Sequence, residues 1–179
     1  MKTSLLLVLV TGMFLVLTAG SCLQGKHVVG SKNYISQEVK ADHFNEIKLL
    51  GSANISYHQD TRSHVEIHGS DNIIPLVETY VDGNTLMIKF KKNVSIWKGK
   101  LEIKVFAPEL NKLSINGSGN IQAADLEAEN TDASISGSGN ISCYASQKLV
   151  ARVKGSGDIA YKGNPQEVDA PRKNIRQIK

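Results

Sequence analysis

Between Leu113 and Tyr161 one phrase occurs three times, as Asn116-Gly117-Ser118-Gly119-Asn120-Ile121, Ser136-Gly137-Ser138-Gly139-Asn140-Ile141 and Lys154-Gly155-Ser156-Gly157-Asp158-Ile159. The first glycines lie 20 and then 18 residues apart, the spacing of stacked supersecondary units and too short for separate domains. Shorter copies stand upstream, Gly51-Ser52-Ala53-Asn54-Ile55 and Gly69-Ser70-Asp71-Asn72-Ile73. All five agree in phase. Four and two residues before each first glycine stand Ile47 and Leu49, Val65 and Ile67, Leu113 and Ile115, Ala133 and Ile135, Ala151 and Val153. Four and six residues after it stand Ile55 and Tyr57, Ile73 and Pro75, Ile121 and Ala123, Ile141 and Cys143, Ile159 and Tyr161. Intervening positions are mostly polar, so each unit reads as strand, sharp glycine turn, strand, with one face to bury. One unit cannot bury that face alone, and stacked units can.

The expected fold is therefore all-β, a β-solenoid or β-helix-like stack. Gly51, Gly69, Gly117, Gly119, Gly137, Gly139, Gly155 and Gly157 supply the turns, because a sharp turn needs positive φ that glycine adopts without a Cβ penalty. Ser118, Ser138 and Ser156 can bond to the turn backbone. Asn120, Asn140 and Asp158 share one position, so stacking predicts an amide ladder that Asp158 ends. Ala53 and Asp71 replace the second glycine in the upstream copies, which leaves their turn geometry open.

At the amino end Lys2 precedes an apolar run from Leu5 to Leu17, then Ala19-Gly20-Ser21-Cys22. This reads as a secretory signal over residues 1–21. The segment resembles the bacterial lipobox, which implies lipidation of Cys22; an ordinary signal peptide cleaved nearby is the alternative. Removing Lys2 takes the formal charge from +4 to +3, too mild to imply nucleic acid. Residues 22–43 lack a sustained period and read as anchor and tether, with room for one edge strand around Tyr34. The head spans 44–163. Val81-Asp82-Gly83-Asn84 marks a hairpin, Leu86, Ile88 and Phe90 alternate after it, and Leu101, Ile103 and Val105 alternate before Pro108. Residues 164–179 form a basic tail, disordered or a loose cap. Cys143, inward by phase, reads as a small buried hydrophobe.

The order Phe44-Asn45-Glu46-Ile47, Gly51-Ser52-Ala53-Asn54-Ile55, Gly83-Asn84-Thr85-Leu86, Pro108-Glu109-Leu110 and the serial Gly-Ser-Gly units resembles the auto-transporter adhesin head GIN domain. That family comprises secreted, often lipid-anchored bacterial proteins frequent in Bacteroidetes. The resemblance covers roughly residues 35 to 163. It implies an elongated head with a role in adhesion and carries no catalytic residues.

Three constellations bear on chemistry. His64, Glu66 and His68 alternate along one strand, where imidazoles two residues apart can share a metal; an exposed polar face is the plainer reading, and no metal or other cofactor is expected. Asp125, Glu127 and Glu129 alternate around Leu126 and Ala128 and could hold Ca²⁺, against the plainer reading of a solvated strand face. Lys91, Lys92, Lys98 and Lys100 bracket Trp97, the only tryptophan, a combination suited to an anionic glycan, lipopolysaccharide or membrane surface. The favoured alternative has Trp97 covering one end of the core while lysines keep edge strands from pairing.

Together these features predict a non-enzymatic lipoprotein, exported across the inner membrane and lipid-anchored in the cell envelope at the outer membrane. Its partners would be the membrane through Cys22 and an envelope or host glycan or protein, bound by outward side chains. A β-helix-type carbohydrate-active enzyme is the second reading. Self-association through exposed stack ends, as a homo-oligomer, is the third.

Overall fold

The computed structural model describes residues 26–171 and 173–179, so the signal segment and Cys22 lie outside the described residues. These form an all-β molecule with one 3-10 turn, Ile74–Leu76. Strands β1 (Lys26–Val29) and β2 (Tyr34–Lys40) precede the first glycine-turned unit, β3 (Glu46–Gly51) with β4 (Asn54–Gln59). A long excursion follows: β5 (His64–Ser70), the 3-10 turn, β6 (Val77–Asp82), β7 (Thr85–Phe90), β8 (Val94–Lys98) and β9 (Leu101–Ala107). Three more glycine-turned units come next, β10 (Lys112–Gly117) with β11 (Asn120–Gln122), β12 (Asn130–Gly137) with β13 (Asn140–Tyr144), and β14 (Lys148–Gly155) with β15 (Asp158–Lys162). The chain closes with β16 (Glu167–Asp169) and β17 (Ile175–Gln177).

The first arms of the units lie in a seven-stranded sheet, β16-β14-β12-β10-β3-β7-β6, and the second arms in an eight-stranded sheet, β17-β15-β13-β11-β4-β9-β5-β2. Each glycine turn is thus a corner that carries the chain from one sheet to the other, where a hairpin would pair its own two arms. Pairing between units is parallel and in register. Gly117 lies beside Gly51 on one side and Gly137 on the other, and Gly137 beside Gly155. Ile121 pairs with Ile55 and Ile141, and Ile141 with Ile159. All four isoleucines are buried. A continuous apolar cluster between the sheets includes Ile47, Leu49, Leu113, Ile115, Ala133 and Ala151 from the first arms and Ile121, Ile141, Cys143 and Ile159 from the second. The period-two phase read from the sequence therefore points inward along the whole stack.

Chain order and stack order differ. The unit beneath β3 and β4 is made of β7 and β9, with Leu49 on Ile88 and Ile55 on Ile103. The Gly69 phrase is not a unit of the stack. Its strand β5 runs antiparallel between β9 and β2, and Ile73 leads into the 3-10 turn, so Pro75 is exposed where the phase placed it inside. Asp71 accounts for the departure: its carboxylate accepts from Ser31 Oγ at 2.5 Å and Asn33 Nδ2 at 2.8 Å, fixing a loop in which a second glycine has no role. The stretch expected to be a tether carries β1, parallel to β8, and β2, the edge strand expected around Tyr34. The basic tail contributes β16 and β17, which pair onto β14 and β15. Asp125, Glu127 and Glu129 lie in a loop between β11 and β12, where a strand was expected; all three are exposed.

Candidate functional site

The turns form one edge of the molecule. Gly51, Gly117, Gly137 and Gly155 have φ of +129°, +142°, +138° and +134°, values that side-chain-bearing residues rarely adopt. The second glycines meet a different constraint. A Cβ on Gly119, Gly139 or Gly157 would collide with the carbonyl oxygen of Ala53, Gly119 or Gly139, the equivalent residue of the unit beneath. Backbone bonds tie the corners together: Ser118 N donates to Gly51 O at 3.1 Å, Ser138 N to Gly117 O at 3.0 Å and Ser156 N to Gly137 O at 3.0 Å. The three serine side chains face solvent. The amide ladder is present, with Asn120 Nδ2 donating to Asn54 Oδ1 at 2.7 Å and Asn140 Nδ2 to Asn120 Oδ1 at 2.8 Å. Asp158 ends it by donating its backbone N–H to Asn140 Oδ1 at 3.2 Å.

One unit makes this corner differently. Phe90 occupies the level of Gly51, and Glu102 the level of Asn54. Between them, residues 91–101 swing outward, and their strand β8 pairs with β1 instead of with the stack. This excursion carries Trp97, Lys91, Lys92, Lys98 and Lys100. Trp97 is 82% exposed, contrary to the expectation that it covers the core. The core at that end is filled by Val28 and Ile73 instead, with Ile73 against the closely approaching backbones of Gly30 and Gly99. The β1–β8 register slips between Val28, opposite Ile96, and Val29, opposite Lys98. Trp97 is the extra residue of this bulge, a device that re-aims side chains.

The tertiary structure adds residues to this face that the sequence reading did not include. Val29, Tyr34 and Ile35 are exposed large hydrophobics, and Lys100 Nζ lies 5.1 Å from the centre of the Tyr34 ring. Tyr34, Ile35, Lys100 and Glu102 line one shallow cleft. Lys91 lines another, between the excursion and the Gly51–Asn54 corner, with Val94, Ile96 and Leu101. Nothing in the local sequence joins Tyr34 to Lys100; only the edge position of β2 does.

The histidines are used for packing. His64 is buried and stacks on Phe106 at 4.3 Å, with His58 on the same ring at 5.2 Å. His68 Nε2 lies 3.1 Å from Glu66 Oε2, and its Nδ1 2.6 Å from Ser36 Oγ. His64 instead points its Nδ1 at Arg62 O, 3.3 Å away. Among the described residues no three His, Cys, Asp or Glu side chains converge as a metal site would require. Asp125 Oδ1 meets Lys162 Nζ at 3.1 Å in a groove shared with His58 and Gln122. Its side chain is 95% exposed. Cys143 is a free, buried thiol, pushed up to about 12 by burial. Tyr57 donates to Ala107 O at 2.7 Å, and its phenol is raised to about 12 by burial and, less, by Glu109.

No curated protein matches the chain. Among solved structures it is similar to a putative adhesin from Bacteroides fragilis, at 23% identity, over 84% of this chain and 95% of that one, with a TM-score of 0.50. A putative adhesin from Parabacteroides merdae aligns at 18% identity over 86% of this chain and 99% of that one, with a TM-score of 0.43. The first likeness supports the fold. The family model described as "Putative auto-transporter adhesin, head GIN domain" matches residues 43–122 and 112–165, which together run from the first stacked unit to the last glycine-turned one, and the chain belongs to that family.

Proposed function

We propose that this chain is a non-enzymatic lipoprotein of the bacterial cell envelope whose units form a β-solenoid head that binds a partner through outward-facing side chains. The observation that carries the reading is the in-register parallel pairing from β7 and β9 to β16 and β17, around an interior filled by Ile, Leu, Val and Ala. An interior so filled leaves function to the surface. Membership of an adhesin-described family supports a surface or secreted location. The lipobox-like segment supports attachment through a lipid on Cys22, and the outer membrane is the location proposed for it. Partners of this surface would be envelope or host glycans or proteins.

Two measurements test the proposal. Mass spectrometry of the mature amino terminus should find an acylated Cys22, and an unmodified terminus elsewhere sinks the anchor. A binding screen of the purified protein against host glycans and envelope components should return a ligand. One observation favours a carbohydrate-active enzyme instead, the groove that holds Asp125, Lys162 and His58. A solvated carboxylate paired with lysine lacks the dry surroundings that tune a general acid. Cleavage of a polysaccharide by the purified protein, lost in Asp125→Asn, would reverse the order.

A further inference from the structure

We infer that the end of the head carrying β1 and β8 seats on an anionic lipid bilayer, with Trp97 and Val29 at headgroup level and Lys98 and Lys100 against the lipid charge. This rests on the reading of Cys22 as the lipidated residue and deepens it by naming the face that meets the membrane. The first observation is positional. Cys22 stands four residues before Lys26, the first residue of β1, and four extended residues reach at most about 14 Å. A lipid on Cys22 therefore holds β1 close to the bilayer, and the pairing of β1 with β8 brings Trp97 along. Trp97 lies just beyond the third β1–β8 pair from Lys26, so the short tether limits how far the head can stand clear of the bilayer.

The second observation is chemical. Trp97 is 82% exposed and Val29 56%, beside the exposed lysines Lys98 and Lys100. An indole with an apolar body and a polar N–H suits the membrane interface, and lysines bury their stems while their ammonium groups reach the headgroups. Of the nearby acids, one is paired with a cation and one keeps its charge. Glu102 faces Lys104 at 3.8 Å, and Asp71 stays anionic, its carboxylate turned to Ser31 and Asn33. Val28 faces inward opposite Ile96, so Trp97, the next residue, faces outward, and the bulge leaves Lys98 exposed beside it, opposite the exposed Val29. An anchored surface this close to its own bilayer leaves little room for a large glycan or protein on the same face, which favours the lipid as occupant.

Trp97 is the only tryptophan, so its emission reports on this face alone. The acylated protein is reconstituted into vesicles of phosphatidylethanolamine with phosphatidylglycerol, and a Cys22→Ser chain, exported and purified unacylated, is mixed with the same vesicles. The expected result is a blue-shifted Trp97 emission in the acylated protein, quenched by brominated acyl chains and shielded from iodide. The Lys98→Glu, Lys100→Glu double variant should reverse the shift, and the unacylated chain should partition about tenfold more weakly once both lysines are changed or salt is raised. Trp97 emission that stays water-like and open to iodide in the acylated protein overturns the proposal while leaving the anchor standing. So does a blue shift produced by a soluble glycan or protein and absent with vesicles. Failure of the anchor is read separately, as an unacylated terminus by mass. In that case salt-sensitive binding of the unacylated chain to anionic vesicles still upholds the docking face, and its absence overturns it.

Discussion

The corner at Gly117-Ser118-Gly119 and the passage from Phe90 to Glu102 do the same topological job with different chemistry. Each carries the chain from the seven-stranded to the eight-stranded sheet. At the first, backbone stacks on backbone, and the close approach excludes a side chain at Gly119. At the second the chain leaves the stack as a paired strand, and the space beside the Gly51 corner is a cleft. Ala53 records the consequence. It stands where Gly119, Gly139 and Gly157 stand in later units, but no corner lies beneath it, and its methyl is buried. The second glycine of each corner is thus a property of having a neighbour below, whereas the first, at positive φ even in Gly51, is not. The first unit above the excursion is released from it, and the released corner is where the exposed aromatic face was built.

The largest effect that can test this contrast is Gly139→Val, in mid-stack. It forces a branched side chain onto the Gly119 carbonyl and should cost about 3–5 kcal/mol or abolish folding, read by urea denaturation of the purified protein. Gly119→Ala should still cost about 2–4 kcal/mol, whereas Ala53→Gly at the equivalent site should cost only about 1 kcal/mol, for a lost methyl and a freer unfolded chain. Equal losses at the two positions would break the comparison.

An alkaline titration addresses the filled interior. Burial raises Cys143 from 9.0 to about 12 and Tyr57 from 10.0 to about 12. Both native groups hold their protons at a pH where the unfolded chain has lost them. Their contribution is present in full below the unfolded values and is lost as pH rises from about 9 towards 12. Stability measured by denaturant should fall through that window, and Cys143→Ala with Tyr57→Phe should flatten the fall. Smaller still, Asn140→Ala removes one rung of the amide ladder and should cost about 1 kcal/mol, with no change in the native circular dichroism. Trp97→Ala should shift stability by less than about 0.5 kcal/mol, because its side chain lies outside the core; a larger loss would return Trp97 to a covering role.

Much of the stack was legible because alternation and a glycine punctuation mark recur together. Ile121, Ile141 and Ile159 share a phase, and shared phase with equal spacing places them beside one another in a parallel sheet. The Asp-Gly hairpin signal also held, with Gly83 at φ +61° between β6 and β7. The Gly69 phrase misled because five residues of likeness carry no information on strand partner, and β5 took an antiparallel place beside β9. The aromatic face was half legible. Trp97 and its lysines are adjacent in sequence, but whether the indole faces in or out depends on Val28 and Ile73, which arrive from elsewhere in the chain.

By itself the sequence determined, for the four glycine-turned units, which residues face inward, where the corners fall, and that the units lie in register, since period-two alternation and glycine placement are local properties of the chain. Only the tertiary structure decided the stacking order, with β7 and β9 beneath β3 and β4, and the pairing of β8 with β1 that leaves Trp97 exposed. Both are choices among distant strands of similar alternation, and such choices are settled by side-chain volume and backbone approach across the whole core, which no short stretch of sequence contains.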